Sequence, residues 1–156
     1  MKIQLRSIFK YFLGENMKKI MIILMASLMS FGLFGLKLSA DEKFTLSGKV
    51  TSISLTDQGG VINVSSKAGR YGKVFLTYNL KIDNPNYTSQ GSFIGRGVGI
   101  NDDGNRNSGS RQGVWKREGN IITFHSLDDV TDGNRNFCIS KLNLTEETLE
   151  MTFYPF

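Results

Sequence analysis

The stretch Lys73-Val74-Phe75-Leu76-Thr77-Tyr78-Asn79-Leu80-Lys81-Ile82 decides the fold, because its side chains alternate with a period of two. Val74, Leu76, Tyr78, Leu80 and Ile82 fall on one side, while Lys73, Thr77, Asn79 and Lys81 fall on the other, so a strand here has one dry and one wet face. Phe75 breaks the alternation and must either sit against a partner strand or lie exposed. Outward from this stretch, no window of residues 41–156 keeps apolar residues at helical i, i+3, i+4, i+7 spacing. Seven further strands are expected over roughly 44–55, 60–65, 91–100, 110–118, 120–127, 136–143 and 147–154.

The spacers between these segments carry turn chemistry: Asp57-Gln58-Gly59-Gly60, Lys67-Ala68-Gly69-Arg70, Asp83-Asn84-Pro85-Asn86, Asp103-Gly104, Glu118-Gly119-Asn120 and Asp132-Gly133. Nearly every connection is short enough for a hairpin. The expected fold is therefore all-β, a small antiparallel eight-stranded barrel of meander topology, with a β-sandwich as the alternative. One segment is unusual. In residues 91–100, Gly91, Gly95, Gly97 and Gly99 share a face with Phe93, which is costly unless the bare face is used. Strong coiling at a barrel corner, a neighbouring ring laid over the glycines, or a ligand against the backbone would each use it.

Charge and leader are read together. The chain has 156 residues and a formal charge of +5, but six of its 19 Lys/Arg and one of its 14 Asp/Glu lie in residues 1–40, leaving 13 of each in residues 41–156. A formally neutral domain has no electrostatic footprint for nucleic acid or for an anionic membrane surface. Residues 17–40 read as a secretory signal peptide: Met17-Lys18-Lys19, an uncharged run over 20–36, then Leu38-Ser39-Ala40 ahead of Asp41. The expectation is a start at Met17, cleavage after Ala40 and a single domain over 41–156, exported to the periplasm or secreted from a bacterial cell. Cys138 is the only cysteine, so this exported domain forms no internal disulfide, and its place between Phe137 and Ile139 suits a small buried hydrophobe.

Motifs that could carry chemistry are few. His125, the single histidine, lies in Thr123-Phe124-His125-Ser126-Leu127-Asp128-Asp129, where a nearby carboxylate would suit a general base; a hydrogen-bonded structural histidine is the plainer reading. A lone histidine excludes a His-pair metal site, and no Gly-x-Ser-x-Gly elbow accompanies it. Asp-Gly-Asn-Arg-Asn occurs twice, at 103–107 and 132–136. Its alternating oxygens invite a calcium reading, but Arg106 and Arg135 place positive charge inside each loop and the bidentate Glu is missing. Two turns using Asp-Gly for positive φ account for the same residues; at one barrel end they would form a polar rim suited to a sugar or a carboxylate. Gly113-Val114-Trp115 resembles the Gly-x-Trp signature of lipocalins but falls on the fifth strand instead of the first, so it supports only a large ring inside a barrel. Tyr154 and Phe156 fit the C-terminal aromatic pattern of outer-membrane barrels, whereas Thr152, Glu150 and Pro155 do not.

Tyr71-Gly72-Lys73-Val74-Phe75-Leu76-Thr77-Tyr78, with the glycine-laddered strand and the Asp103-Gly104 turn after it, resembles the middle of the barrel shared by allene oxide cyclases and dirigent proteins. The resemblance covers roughly residues 60–105. It implies an eight-stranded antiparallel barrel with an apolar interior, in that family sometimes a cyclase or a stereochemical guide, and it transfers no catalytic residue to this chain. The functional expectation is a non-enzymatic binding or interaction module, with Tyr78, Phe93, Trp115 and His125 as candidate ligand-binding residues. Its partner would be an apolar small molecule or an envelope component, and no cofactor or metal is called for. One alternative is a small isomerase or cyclase using His125 or Tyr78 as acid or base inside the barrel; another is an outer-membrane barrel.

Overall fold

The computed structural model describes residues 43–156, in which eight strands follow one another: β1 (Phe44–Thr56), β2 (Gly59–Lys67), β3 (Lys73–Lys81), β4 (Gln90–Ile100), β5 (Arg106–Glu118), β6 (Ile121–Val130), β7 (Arg135–Asn143) and β8 (Thr148–Pro155). Each strand pairs antiparallel with the next, and β8 pairs back onto β1 from Phe44↔Phe153 to Lys49↔Thr148, closing the barrel. This is the expected meander barrel. Closure satisfies both edges of every strand, which an open sheet of this length could not do. The expected signal peptide (1–40), with its start at Met17 and cleavage after Ala40, lies outside the described residues.

The alternation at β3 orients the whole wall. Val74, Leu76, Tyr78 and Leu80 point inward and are buried, while Phe75 faces out between Ser65 and Val98 and is 48% exposed. The Lys73 ammonium lies 6.0 Å from its ring centroid. The same period carries Phe93, Trp115, Ile122, Phe124, Cys138, Leu142, Leu149 and Met151 inward from the later strands. Among the described residues, Ser140 Oγ and Arg111 Nε are the buried side-chain polar atoms without a hydrogen-bond partner. Ser140→Ala is therefore expected to leave stability unchanged or raise it by up to about 1 kcal/mol, read from urea unfolding, because it removes a hydroxyl that gave up water for nothing.

Strand bounds differ from expectation chiefly around the repeated pentapeptides. The strands β5 and β6 run about three to four residues further than the alternation alone marks, because pairing continues to Ile100↔Arg106 and to Asp129↔Arg135. Both repeats then make one and the same turn. Asn101 N–H donates to Asn105 O at 3.1 Å and Gly104 N–H to Asn101 O at 3.0 Å; Val130 N–H donates to Asn134 O at 2.9 Å and Gly133 N–H to Val130 O at 2.9 Å. Gly104 and Gly133 take φ of 80° and 88°, the left-handed region that favours glycine, so the repeat is explained by turn geometry. Pro155, judged a poor residue for a paired final strand, is nonetheless within β8 opposite Asn136. Phe156 N–H donates toward β7, to Arg135 O, so the nitrogen of Pro155 faces the β1 side, beyond the described pairing, which runs from Phe44 to Lys49. Among the described residues no ladder bond is lost there.

Candidate functional site

The interior divides into a filled half and an open half. In the filled half, Phe124 packs against Tyr78 at 4.5 Å and against Phe93 edge-on at 5.2 Å between ring centroids, and Tyr78 lies 5.5 Å from Phe93. Trp115 closes the end beyond them, its indole N–H shared between Lys81 O at 3.2 Å and Ser92 O at 3.0 Å. The glycine ladder makes room for these groups. Across the β4–β5 pair, Gly91 opposes Trp115, Phe93 opposes Gly113 and Gly95 opposes Arg111, so each large side chain faces a bare backbone. Of the structural uses foreseen for those glycines, a neighbouring ring occurs at Gly91, where Trp115 Nε1 lies 3.1 Å from where a Cβ would stand; at Gly99 the close neighbours are the backbone oxygen and Cβ of Tyr71.

Beyond Arg111 the interior is open. A cavity of about 100 Å³ is walled by Leu46, Val74, Leu76, Met151 and Phe153, with Gly97, Gly99 and Gly109 supplying bare backbone. It opens toward the end that carries the 68–72, 101–105 and 131–134 connections, so both pentapeptide turns stand at the same mouth. Arg111 and Asp128 form its floor.

Sequence reasoning missed this floor. Arg111 is 3% exposed, and its Nε lies 2.8 Å from Asp128 Oδ2, its cross-strand partner on β6. The contact is a charge-paired one between the guanidinium and the carboxylate. Its Nη1 donates to Tyr78 Oη at 2.9 Å, and its Nη2 lies 3.3 Å from Ser126 Oγ and 3.1 Å from Met151 Sδ. The guanidinium also sits 4.9 Å over the Tyr78 ring, an approach possible because Gly95, opposite both residues, leaves the space between them empty. Burial works against the charge on Arg111, but Tyr78 and Asp128 outweigh it and hold the pKa above its ordinary value. Ser126 Oγ donates to Asp128 Oδ1 at 2.8 Å. Cys138 is buried beside this group; burial and the Asp128 charge push its thiol well above the usual range, so it stays protonated and unreactive.

A clasp crosses the mouth. Asp132 Oδ2 accepts from Arg70 Nη2 and from Tyr71 Oη, both at 2.8 Å, and Asn134 Nδ2 donates to Tyr71 Oη at 3.0 Å. Burial pushes the Asp132 carboxyl up, but the Tyr71 hydroxyl, the Asn134 N–H and the Arg70 charge more than offset it and hold it below its ordinary 3.8. A depressed carboxyl contributes stability that is present above its unfolded pKa and lost as pH falls through the folded value. Acidification below about pH 4 is therefore expected to loosen the clasp, raising amide exchange at residues 70–72 and 132–134. Asp132→Asn should abolish that acid dependence.

Of the residues singled out from the sequence, Tyr78, Phe93 and Trp115 meet inside the barrel, but they fill it and none lines the cavity. Tyr78 comes closest, touching the floor from below through Arg111. His125 is not with them. Phe124 points in, so His125 points out; it is exposed between Val114 and Ile139, with its ring 6.3 Å from Phe137. Compared with known proteins, the chain matches no protein-family model, no curated protein and no solved structure.

Proposed function

We propose that this chain is an exported, non-enzymatic binding protein that takes the apolar end of a small molecule into the open half of its barrel. The observation that carries the reading is the cavity of about 100 Å³, apolar in its walls and open at one end, in a barrel whose other half is packed with aromatic rings. An engineered apolar cavity of about 150 Å³ takes up benzene, so the space here suits a group of about four or five carbon atoms, with the rest of the molecule in the mouth. Export rests on the leader-like residues 17–40. The likeness of residues 60–105 to the allene oxide cyclase and dirigent barrel favours the same class of ligand, apolar and small.

Two observations favour binding over the alternatives. Neither acid–base group foreseen for an isomerase reaches the cavity, because His125 faces outward and Tyr78 lies under Arg111. The outer wall carries Thr77, Asn79, Arg96, Gln112, Asp129 and Lys141 among its apolar residues, a surface made for water instead of a lipid belt.

The test uses Gly97. A Cβ there meets only Leu76 Cδ2, at 3.2 Å, and otherwise stands in open space with an ordinary backbone φ. Gly97→Val is expected to keep the fold and stability within about 1 kcal/mol while filling the cavity. Cyclopentane should shift the amide resonances of Gly99 and Gly109 in the wild-type chain and leave them in place in the variant. Equal shifts in both proteins would show that the molecule binds elsewhere.

A further inference from the structure

We infer that the Arg70–Tyr71–Asp132–Asn134 clasp is a strap that gates the cavity, with Tyr71 as its moving part; this rests on the cavity being a binding site. The hairpins it joins stand on opposite sides of the barrel: β4 and β5 separate β2–β3 from β6–β7 on one side, and β8 and β1 on the other. A link between them therefore runs over the mouth instead of along its rim. Tyr71 carries that link. Its Cβ stands against Gly99 of β4, the residue packs on the core and lines the cavity, and its hydroxyl meets Asp132 Oδ2 at 2.8 Å and Asn134 Nδ2 at 3.0 Å. A molecule bound for the apolar wall of Leu46, Leu76 and Met151 has to pass this ring.

The pentapeptide repeat separates the strap from the turn it sits on. The turns at 101–105 and 130–134 make the same backbone bonds, yet among the described residues only the second is clasped to another hairpin. At the first, Asn101 Oδ1 accepts from Asn105 N–H at 2.8 Å, a bond internal to the turn. The turn forms without a clasp, so the clasp serves the mouth. It is also able to open. Arg70 and Tyr71 are flanked by Gly69 and Gly72, at φ of 42° and 65°, so a glycine at either end can absorb a swing of the pair. The ion pair in the clasp is wet, with the Arg70 side chain 68% exposed, and a pair of that kind holds weakly. Pairing of β2 with β3 ends at Lys67↔Lys73, so the latch can break and re-form without disturbing the ladder.

Cyclopentane exchange at neutral pH, followed at the Gly99 and Gly109 amides of the wild-type chain and its variants, tests the inference. Tyr71→Phe removes the hydroxyl and keeps the ring; Asp132→Ala removes the acceptor. In each, association and dissociation rates are expected to rise together by about fivefold with Kd within about twofold of wild type, since a strap that only gates speeds both directions alike. Asp103→Ala, the same change in the unclasped turn, should leave both rates at their wild-type values. Unchanged rates in Tyr71→Phe would overturn the gate, and so would a change in Kd without a parallel rise in the rates, the mark of a residue that only shapes the site. An equal rise in Asp103→Ala would trace the effect to the turn and overturn the gate as well. If cyclopentane leaves the wild-type amides in place, the cavity reading fails and the strap with it. If it binds and the rates do not respond, the strap alone fails. Tyr71→Phe decides even if Asp132→Ala does not fold.

Discussion

Asp128→Asn is expected to lower the unfolding free energy by about 3–5 kcal/mol, the cost of leaving one member of a buried ion pair without its partner. The asymmetry of the pair sharpens this expectation. Asparagine leaves a guanidinium that is 3% exposed and has no means of becoming neutral. Arg111→Met leaves the Asp128 carboxylate, which is less deeply buried than the guanidinium, so its loss should be smaller. Combining Arg111→Met with Asp128→Asn should recover most of the loss, since two neutral side chains replace the pair. Urea unfolding of the four proteins at neutral pH measures the cycle; a double variant as unstable as the sum of the singles would mean that the two groups do not compensate each other.

The second large effect lies in the filled half. Phe124 is fully buried, and its ring contacts both Tyr78 and Phe93. Phe124→Ala removes the centre of that cluster from a closed barrel whose backbone cannot collapse inward, so about 3–5 kcal/mol should be lost. Tyr78 would also lose the ring that holds it beneath Arg111, and the variant should therefore weaken the floor as well as the core. Unfolding by urea gives the stability change. A loss under about 1 kcal/mol would mean that the rings are not the packed filling described here.

The wall of the barrel was legible in the sequence because alternation and turn residues report it directly. Val74, Leu76 and Tyr78 against Lys73, Thr77 and Asn79 fix which side of β3 is dry, and the Gly119 turn fixes the β5–β6 hairpin, where Glu118 pairs with Ile121 and Gly119 takes φ of 58°. What fills the wall was harder to read. Counting in twos inward from Trp115 reaches Arg111, and counting in twos from Phe124 reaches Asp128, so the period that places the rings also places the ion pair. That step was open to sequence reasoning. It was obscured because a charged residue on a half-buried strand is ordinarily on its wet face. The glycines opposite carried the missing signal: Gly95 and Gly113 on the inward rows of neighbouring strands leave the space that a buried guanidinium and a phenyl ring take up. His125 shows the reverse case. Its neighbours Phe124 and Asp128 suggested a shared site, but adjacent residues on a strand face opposite ways, and only the assignment of Phe124 to the interior settles that the imidazole is outside.

The division of the interior into a ring-packed half and an open apolar half is tested most directly by diffraction from a crystal of this protein held under xenon gas, which enters dry cavities and avoids filled ones. Xenon density is expected between Leu46, Leu76, Met151 and Phe153, above an Arg111 paired with Asp128. Density among Tyr78, Phe93 and Phe124, or side chains packed continuously through the space above Arg111, would contradict it.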